Sequence, residues 1–154
     1  MNLVDELTSV TAALNAAGIR YAICGGIAVT LYGATRSTKD LDLLVMPADL
    51  PRVLEIVRPL GYVFAAIPMT FGAGTARERH VQRVSKIEGS EHLLLDLLVA
   101  DAAFEGALDD SVELELPEGR LTVVSRDRLI AMKRMAGRAQ DLADIEKLEA
   151  RDGE

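Results

Sequence analysis

The chain has 154 residues, 49% of them apolar, and a formal net charge of −7. This length suits one domain, residues 1–154, with a core of its own, and the apolar content argues against a disordered chain. The negative charge argues against a general nucleic-acid coating protein, because such proteins bind through many Lys and Arg contacts with phosphate. Aromatic residues make up 4% of the chain and Trp is absent, which excludes an extensive base-stacking surface.

Cysteine content and hydropathy indicate the cellular compartment of the protein and the kinds of site that it can contain. Cys24 is the only cysteine, so neither an intrachain disulfide nor a cysteine-based zinc site is possible. The opening segment MNLVDELTSV carries acids without a basic region, and no apolar run has the length of a membrane span. We therefore expect a cytoplasmic protein with no membrane partner.

The spacing of apolar residues predicts alternating helices and strands. This order indicates an α/β (α+β) fold, in which helices pack against a mixed β-sheet and a helix pair ends the chain. The predicted elements are a helix at 3–14, a strand at 19–24, a helix at 27–32, a strand at 40–45, a helix from 47 to 60, strands at 62–67, 80–87 and 93–100, a hairpin at 112–124, and helices at 126–135 and 138–149.

Three acids interrupt apolar strands. Asp40 and Asp42 share one face of their predicted strand because side chains alternate with period two, and Asp96 lies alone in LLLDLLVA. If the two strands are neighbours, three carboxylates converge, and two charges about 4 Å apart repel by roughly 4 kcal/mol at an effective dielectric constant near 20. Two bridging Mg²⁺ ions would relieve this repulsion, and Mg²⁺ commonly shares its ligands with nucleotide phosphates. On its own, however, Asp-x-Asp is also common on a solvated strand face.

A strand-to-helix step precedes these acids. Gly25 and Gly26 would let a phosphate approach the backbone at the start of the next helix. Arg36 and Lys39, between that helix and Asp40, are candidates for contacts with phosphate oxygens. This segment therefore predicts a phosphate cradle followed by metal-binding acids.

A basic run at 77–86, RERHVQRVSK, has two interpretations. Arg79 and Arg83 are candidates for binding the acceptor substrate, such as an RNA end; alternatively, the run is a solvated edge strand protected by charge. Met69 and Phe71, in the preceding predicted loop, suit either a lid or a partner contact.

Gly-Gly, thirteen intervening residues, Asp-Leu-Asp and a later Asp in an apolar strand resemble the polymerase-beta-type nucleotidyltransferase superfamily. The segment LIAMKRMAGRAQDLADIEKL is similar to the Lys-x-x-Ala-x-Arg-x-x-Asp-x-x-Asp block of small bacterial nucleotidyltransferase-like proteins, including abortive-infection toxins. The resemblance covers most of the chain between 21 and 148, although the middle matches only in its general order.

The resemblance implies Mg²⁺-dependent transfer of a nucleoside monophosphate from an NTP to a hydroxyl on RNA, a small molecule or a protein. It implies that Asp40, Asp42 and Asp96 hold the metal ions, with Asp96 also acting on the hydroxyl, and that Gly25 and Gly26 receive the triphosphate. Lys133 would approach phosphate or substrate. Arg138, Asp141 and Asp144 match the rest of the C-terminal block, where they would either bind substrate or tie the last helices together.

One departure opens an alternative function. Many catalytic members carry Gly-Ser where this chain has Gly25-Gly26, so the serine hydroxyl that would contact a phosphate is missing. A non-catalytic nucleotide-binding or toxin–antitoxin module of the same fold is therefore the alternative, and a structural domain with solvated acids is a third. An antitoxin or a second copy of the chain is a candidate partner.

Overall fold

The computed structural model describes residues 1–34 and 37–152. The order of helices and strands follows the apolar spacing of the sequence closely. The helices are α1 (Leu3–Ala16), α2 (Gly25–Leu31), α3 (Leu50–Val57), α4 (Arg126–Ala136) and α5 (Ala139–Asp152). The strands are β1 (Tyr21–Cys24), β2 (Asp40–Val45), β3 (Phe64–Ala65), β4 (Met69–Phe71), β5 (Arg79–Glu88), β6 (Glu91–Val99), β7 (Val112–Leu116) and β8 (Gly119–Val123).

Among the described residues these eight strands form one mixed sheet, as predicted. Its order is β3-β5-β6-β2-β1-β8-β7, and β4 also pairs with β5. The pairs β2–β6 and β1–β8 are parallel, whereas β1–β2, β5–β6 and β7–β8 are antiparallel. The two acid-bearing strands, β2 and β6, are thus direct neighbours in the middle of the sheet.

Local signals at the helix ends are confirmed. The Asn2 side chain accepts hydrogen bonds from the first turn of α1, and the Ser125 hydroxyl accepts one from the Arg128 backbone at the start of α4. Gly137 has φ +66° and separates α4 from α5, which is the left-handed ending that glycine favours.

The segment between α3 and β5 differs from the prediction. The strand expected at 62–67 is reduced to Phe64–Ala65, and the loop expected at 68–78 contains β4. Both short strands pair with β5, so β5 lies inside the sheet and the solvated-edge interpretation of the basic run is wrong.

The core lies between the sheet and the helices. Its fully buried side chains include Leu14 of α1, Ile23 of β1, Leu43 of β2 and Leu97 of β6. On the outer part of the sheet, Lys86 Nζ lies 2.8 Å from Glu6 Oε1, and the Tyr62 hydroxyl donates to the same oxygen at 3.0 Å. This cluster fixes α1 against β5. No helix of the described residues combines the length and apolarity that crossing a membrane requires.

Candidate active site

A row of four side-chain positions crosses the centre of the sheet. Cys24 of β1 is paired with Asp42 of β2, Asp42 with Asp96 of β6, and Asp96 with Arg83 of β5. Directly paired residues present their side chains to the same face, so Asp42, Asp96 and Arg83 share one surface of the sheet. Asp40 lies two residues before Asp42 and joins the same face.

This face is the floor of a cleft of about 660 Å³. Gly25 and Gly26, where β1 meets α2, line one end, and β4 with the start of β5 lines the other. The roof is a stripe of α4 at helical spacing. Its lining residues from α4 are Leu129, Met132, Lys133 and Ala136.

The carboxylates of the cleft are electrostatically coupled. Burial, followed by repulsion from Asp96 and Asp40, raises the pKa of Asp42 to about 7, although the charges of Lys133 and Arg138 oppose the shift. An acid with this pKa is held in a place where negative charge is unfavourable. A divalent cation would remove that penalty.

Asp96 is held by an arginine. Arg83 Nε donates to Asp96 Oδ1 at 2.8 Å and its Nη2 donates to Oδ2 at 3.0 Å, which is a two-point ion pair. The Asp96 side chain is 13% exposed, so little water competes with the pair. The pairing fixes the orientation of the carboxyl group in the cleft.

The oxygen donors of Asp40 and Asp42 suit Mg²⁺, which binds one or two carboxylates and fills its remaining positions with water and phosphate oxygens. Among the side chains described in residues 1–34 and 37–150, no three His, Cys, Asp or Glu residues are arranged to hold one ion together. Asp96, engaged by Arg83, shares the cleft with the other two acids. Joint metal binding by all three therefore stays a prediction.

Gly25 and Gly26 make close approaches that a side chain would block. Gly25 has φ +68°, and a Cβ there would lie 2.7 Å from Asp42 Cγ. A Cβ on Gly26 would lie 3.0 Å from both Cβ and Oγ1 of Thr38, another residue of the cleft wall. The Thr38 hydroxyl, which accepts a hydrogen bond from the Asp40 backbone at 3.4 Å, thus lies beside the expected phosphate cradle.

The predicted phosphate-binding cations lie in different places. Lys39 is described directly before β2 and is absent from the cleft lining, while Arg36 lies outside the described residues. Lys133 lines the cleft, but its ammonium group is 3.0 Å from Asp144 and 3.3 Å from Asp141. All three side chains are buried, so this cluster ties α4 to α5 whatever else it does.

Arg138 and Asp141 form the outer part of the same cluster. Arg138 Nε lies 2.6 Å from Asp141 Oδ2, and Arg138 Nη2 donates to Oδ1 at 3.2 Å. Burial raises the pKa of Asp141, but the hydrogen bond from Arg138 and the charge of Lys133 outweigh it, and the pKa ends below its ordinary value. Both residues line the cleft, so the two interpretations of the C-terminal block are compatible.

The basic run divides between two faces because strand side chains alternate. Arg79 and Arg83 face the cleft, whereas Lys86 faces Glu6. The Arg83–Asp96 pair was not predicted from the sequence, although the two-residue Gly89-Ser90 turn indicates it. That turn pairs Glu88 with Glu91 and, counting back, Arg83 with Asp96.

No protein-family model and no curated protein matches the chain. Among solved structures, TM1012 from Thermotoga maritima, provisionally assigned as a nucleotidyltransferase, has a TM-score of 0.65 at 11% identity, covering 96% of this chain and 92% of its own. A crystal structure of ANT(2'')-Ia in complex with adenylyl-2''-tobramycin has a TM-score of 0.58 at 15% identity, and the match covers 94% of this chain and 86% of the ANT(2'')-Ia chain. The chain therefore shares the fold of these two solved structures, in agreement with the fold that its motifs led us to expect.

Proposed function

We propose that the protein is a Mg²⁺-dependent nucleotidyltransferase, which transfers a nucleoside monophosphate from an NTP to a hydroxyl acceptor and releases pyrophosphate. One observation carries the proposal: Asp42 and Asp96 are paired in register on the floor of a cleft that ends at Gly25 and Gly26. The nucleotidyltransferase fold of the chain supports the same reaction class.

The donor side of the cleft would bind the triphosphate. Gly25 and Gly26 line this end of the cleft, and the Thr38 hydroxyl beside Gly26 would donate a hydrogen bond to a phosphate bound there. Because α2 has only seven residues, backbone access and the hydroxyl carry more of this argument than the helix dipole. Asp40 and Asp42 would hold two Mg²⁺ ions, which supply neutralisation of the charge on the triphosphate and on the departing pyrophosphate.

Asp96 would act on the acceptor. The acceptor oxygen attacks the α-phosphorus, the bond from that phosphorus to the pyrophosphate oxygen breaks, and the hydroxyl proton passes to the Asp96 carboxylate. Arg83 would keep this carboxylate aimed into the cleft through its two hydrogen bonds. Arg83 is then a positioning residue, while Arg138 and Asp141 would border the bound substrate.

The test is transfer of label. The purified protein is incubated with each α-³²P-labelled NTP, MgCl₂ and four acceptor pools: total RNA, a mixture of nucleoside monophosphates, casein and an aminoglycoside mixture. We expect label on one pool and no label when EDTA is present. The rate of transfer should fall at least a hundredfold in Asp42→Asn, which keeps the shape of the side chain. Absence of transfer to every pool, with Mg²⁺-dependent NTP binding retained, would instead support the alternative of a nucleotide-binding module.

The alternative rests on Gly26, which supplies no hydroxyl. A regulatory module of a toxin–antitoxin pair would need affinity for nucleotide without turnover. Equilibrium dialysis with a labelled NTP, with and without Mg²⁺, measures this affinity directly. Asp42→Asn serves as the matched control for the metal-dependent part of the binding.

A further inference from the structure

The end of the cleft farthest from Gly25 is formed by β4 and the start of β5. We call Met69, Phe71, Arg79 and Val81 the β4–β5 wall; all four line the cleft. The strand order β4-β5-β6-β2-β1 sets this wall on the opposite side of Asp96 from Gly25. A substrate with its triphosphate at Gly25 therefore leaves the β4–β5 wall to the acceptor, an assignment that rests on the proposed function.

Phe71 and Arg79 are directly paired across the two strands. The Arg79 guanidinium lies 5.3 Å from the centre of the Phe71 ring, and Phe71 is 43% exposed. A partly exposed ring with a guanidinium over it offers an aromatic surface and a positive charge to a ligand. Met69 and Val81, paired beside them, supply only apolar contact.

The charge of Arg79 is uncompensated. Three other cations line the cleft within the described part of the chain, and each has a carboxylate partner: Arg83 has Asp96, while Lys133 and Arg138 have Asp141. Arg79 makes no ion pair there, and its Nη1 donates to the Arg77 carbonyl instead. The β4–β5 wall itself carries no acid. A polyamine would thus meet one positive charge and apolar groups.

We infer that Phe71 and Arg79 select an acceptor that presents a planar ring and a neighbouring phosphate, and that they reject a polycationic acceptor. A nucleotide unit has this chemistry, because a base stacks on Phe71 while its phosphate meets Arg79. The acceptor class thus differs from the tobramycin adduct held by ANT(2'')-Ia. A free nucleotide and a polynucleotide end supply the same groups.

The chain contains no Trp, so Phe71→Trp introduces a single indole at the wall. Its fluorescence is titrated with CMP, cytidine, ribose 5-phosphate, oligocytidylate and tobramycin, with a non-hydrolysable ATP analogue and Mg²⁺ in excess to fill the donor site. We expect CMP to quench the indole, cytidine and ribose 5-phosphate to bind at least fivefold more weakly, and tobramycin to have no effect. Tighter binding of oligocytidylate than of CMP identifies a polynucleotide end as the acceptor; equal binding identifies a free nucleotide.

Matched controls keep the test specific. Phe64→Trp introduces an indole at another exposed phenylalanine, outside the cleft lining, and should not respond to CMP. Arg79→Gln should weaken CMP at least fivefold, whereas Arg77→Gln, two residues away and outside the cleft lining, should not. Calorimetric titration of the wild-type chain repeats the comparison if Phe71→Trp fails to fold.

The outcomes separate this inference from the proposed transfer. Quenching by CMP without any detectable transfer would retain the subsite and reject the enzyme. Transfer to an acceptor would retain the enzyme. The subsite would nevertheless be overturned if tobramycin and CMP quenched the Phe71→Trp indole equally, or if CMP did not quench it at all.

Discussion

The Asp42 carboxyl group occupies the space that a side chain on Gly25 would need. A Cβ on Gly25 would lie 2.7 Å from Asp42 Cγ and 2.8 Å from its Cβ, and Gly25 also has φ +68°. Gly25→Ala should therefore destabilise the fold by about 3 kcal/mol, because backbone strain and a steric clash add. Urea unfolding measures the loss, and transfer should fall because Asp42 must move.

Gly18→Ala is the control for this first prediction. Gly18 has φ +70°, almost the same backbone conformation, but a Cβ there has nothing within 4 Å. It should lose about 1 kcal/mol from backbone strain alone. Equal losses in the two variants would show that Asp42 does not need the space at Gly25.

Asp42 should give the stability of the protein a characteristic pH dependence. Its folded-state pKa of about 7 lies above its ordinary value of 3.8, so between these two pH values the folded protein binds a proton that the unfolded chain releases. The free energy of unfolding therefore falls as the pH rises through this window, by as much as about 4 kcal/mol. Without divalent ions, Asp42→Asn should exceed the wild type in stability by about 2 kcal/mol at pH 5, where the unfolded wild-type chain has already released the proton, and by about 4 kcal/mol at pH 8.

Mg²⁺ should change this comparison. Added at pH 8, it should stabilise the wild type and leave Asp42→Asn nearly unaffected, because the variant has lost the charge that attracts the ion. The other groups that set the pKa are Asp40, Asp96, Lys133 and Arg138, and they are unchanged in the variant. Parallel stability curves for the two proteins from pH 5 to pH 8 would contradict the assignment.

The Arg83–Asp96 pair should be energetically coupled. A double-mutant cycle with Arg83→Gln and Asp96→Asn should give a coupling of about 1–2 kcal/mol, since the pair is two-pronged and Asp96 is 13% exposed. Arg20 and Asp109 form the control pair: they lie 3.4 Å apart with both side chains largely exposed, and their coupling should stay below about 0.5 kcal/mol. A coupling for Arg83–Asp96 as small as the control would contradict its positioning role.

The central strands of the sheet were predictable from sequence because each of them is a nearly continuous apolar run. The predicted strand at 40–45 begins and ends at the same residues as β2 (Asp40–Val45). The alternation of side chains along a strand was enough to predict that Asp40 and Asp42 share one face. By contrast, β3 and β4 have two and three residues, too short for any periodicity to develop. Their pairing with β5 is a tertiary effect that local sequence does not encode.

The residues of the site were predictable, but their partners were not. The sequence indicates acids, glycines and a C-terminal lysine, yet it does not show that Asp144 and Asp141 surround Lys133. That cluster forms because the turn at Gly137 folds α5 back on α4. Thr38 likewise gains its position only when the chain before β2 passes beside Gly26.

The Lys133 cluster should be essential for stability. Lys133→Met would remove the buried ammonium group that Asp141 and Asp144 share, so we expect a loss of about 3–5 kcal/mol in the free energy of unfolding, measured in urea. Arg134→Met, the next residue along α4, removes a largely exposed cation paired with Glu149 and should cost less than about 0.5 kcal/mol. If Lys133→Met were as stable as Arg134→Met while NTP affinity fell, Lys133 would serve the phosphate and not the helix pair.

The hydroxyl of Thr38 should replace the serine that is missing at Gly26. Thr38→Val should weaken Mg²⁺–NTP binding about tenfold, the loss of one hydrogen bond to a charged phosphate, whereas Thr38→Ser should bind as the wild type does. Gly26→Ser alone should clash, since a Cβ there lies 3.0 Å from the Thr38 side chain. Gly26→Ser combined with Thr38→Gly should recover affinity, because the serine at position 26 then supplies the hydroxyl in the space that Thr38 has left. Labelled-nucleotide dialysis measures all four variants, and full affinity in Thr38→Val would show that the backbone alone binds the phosphate.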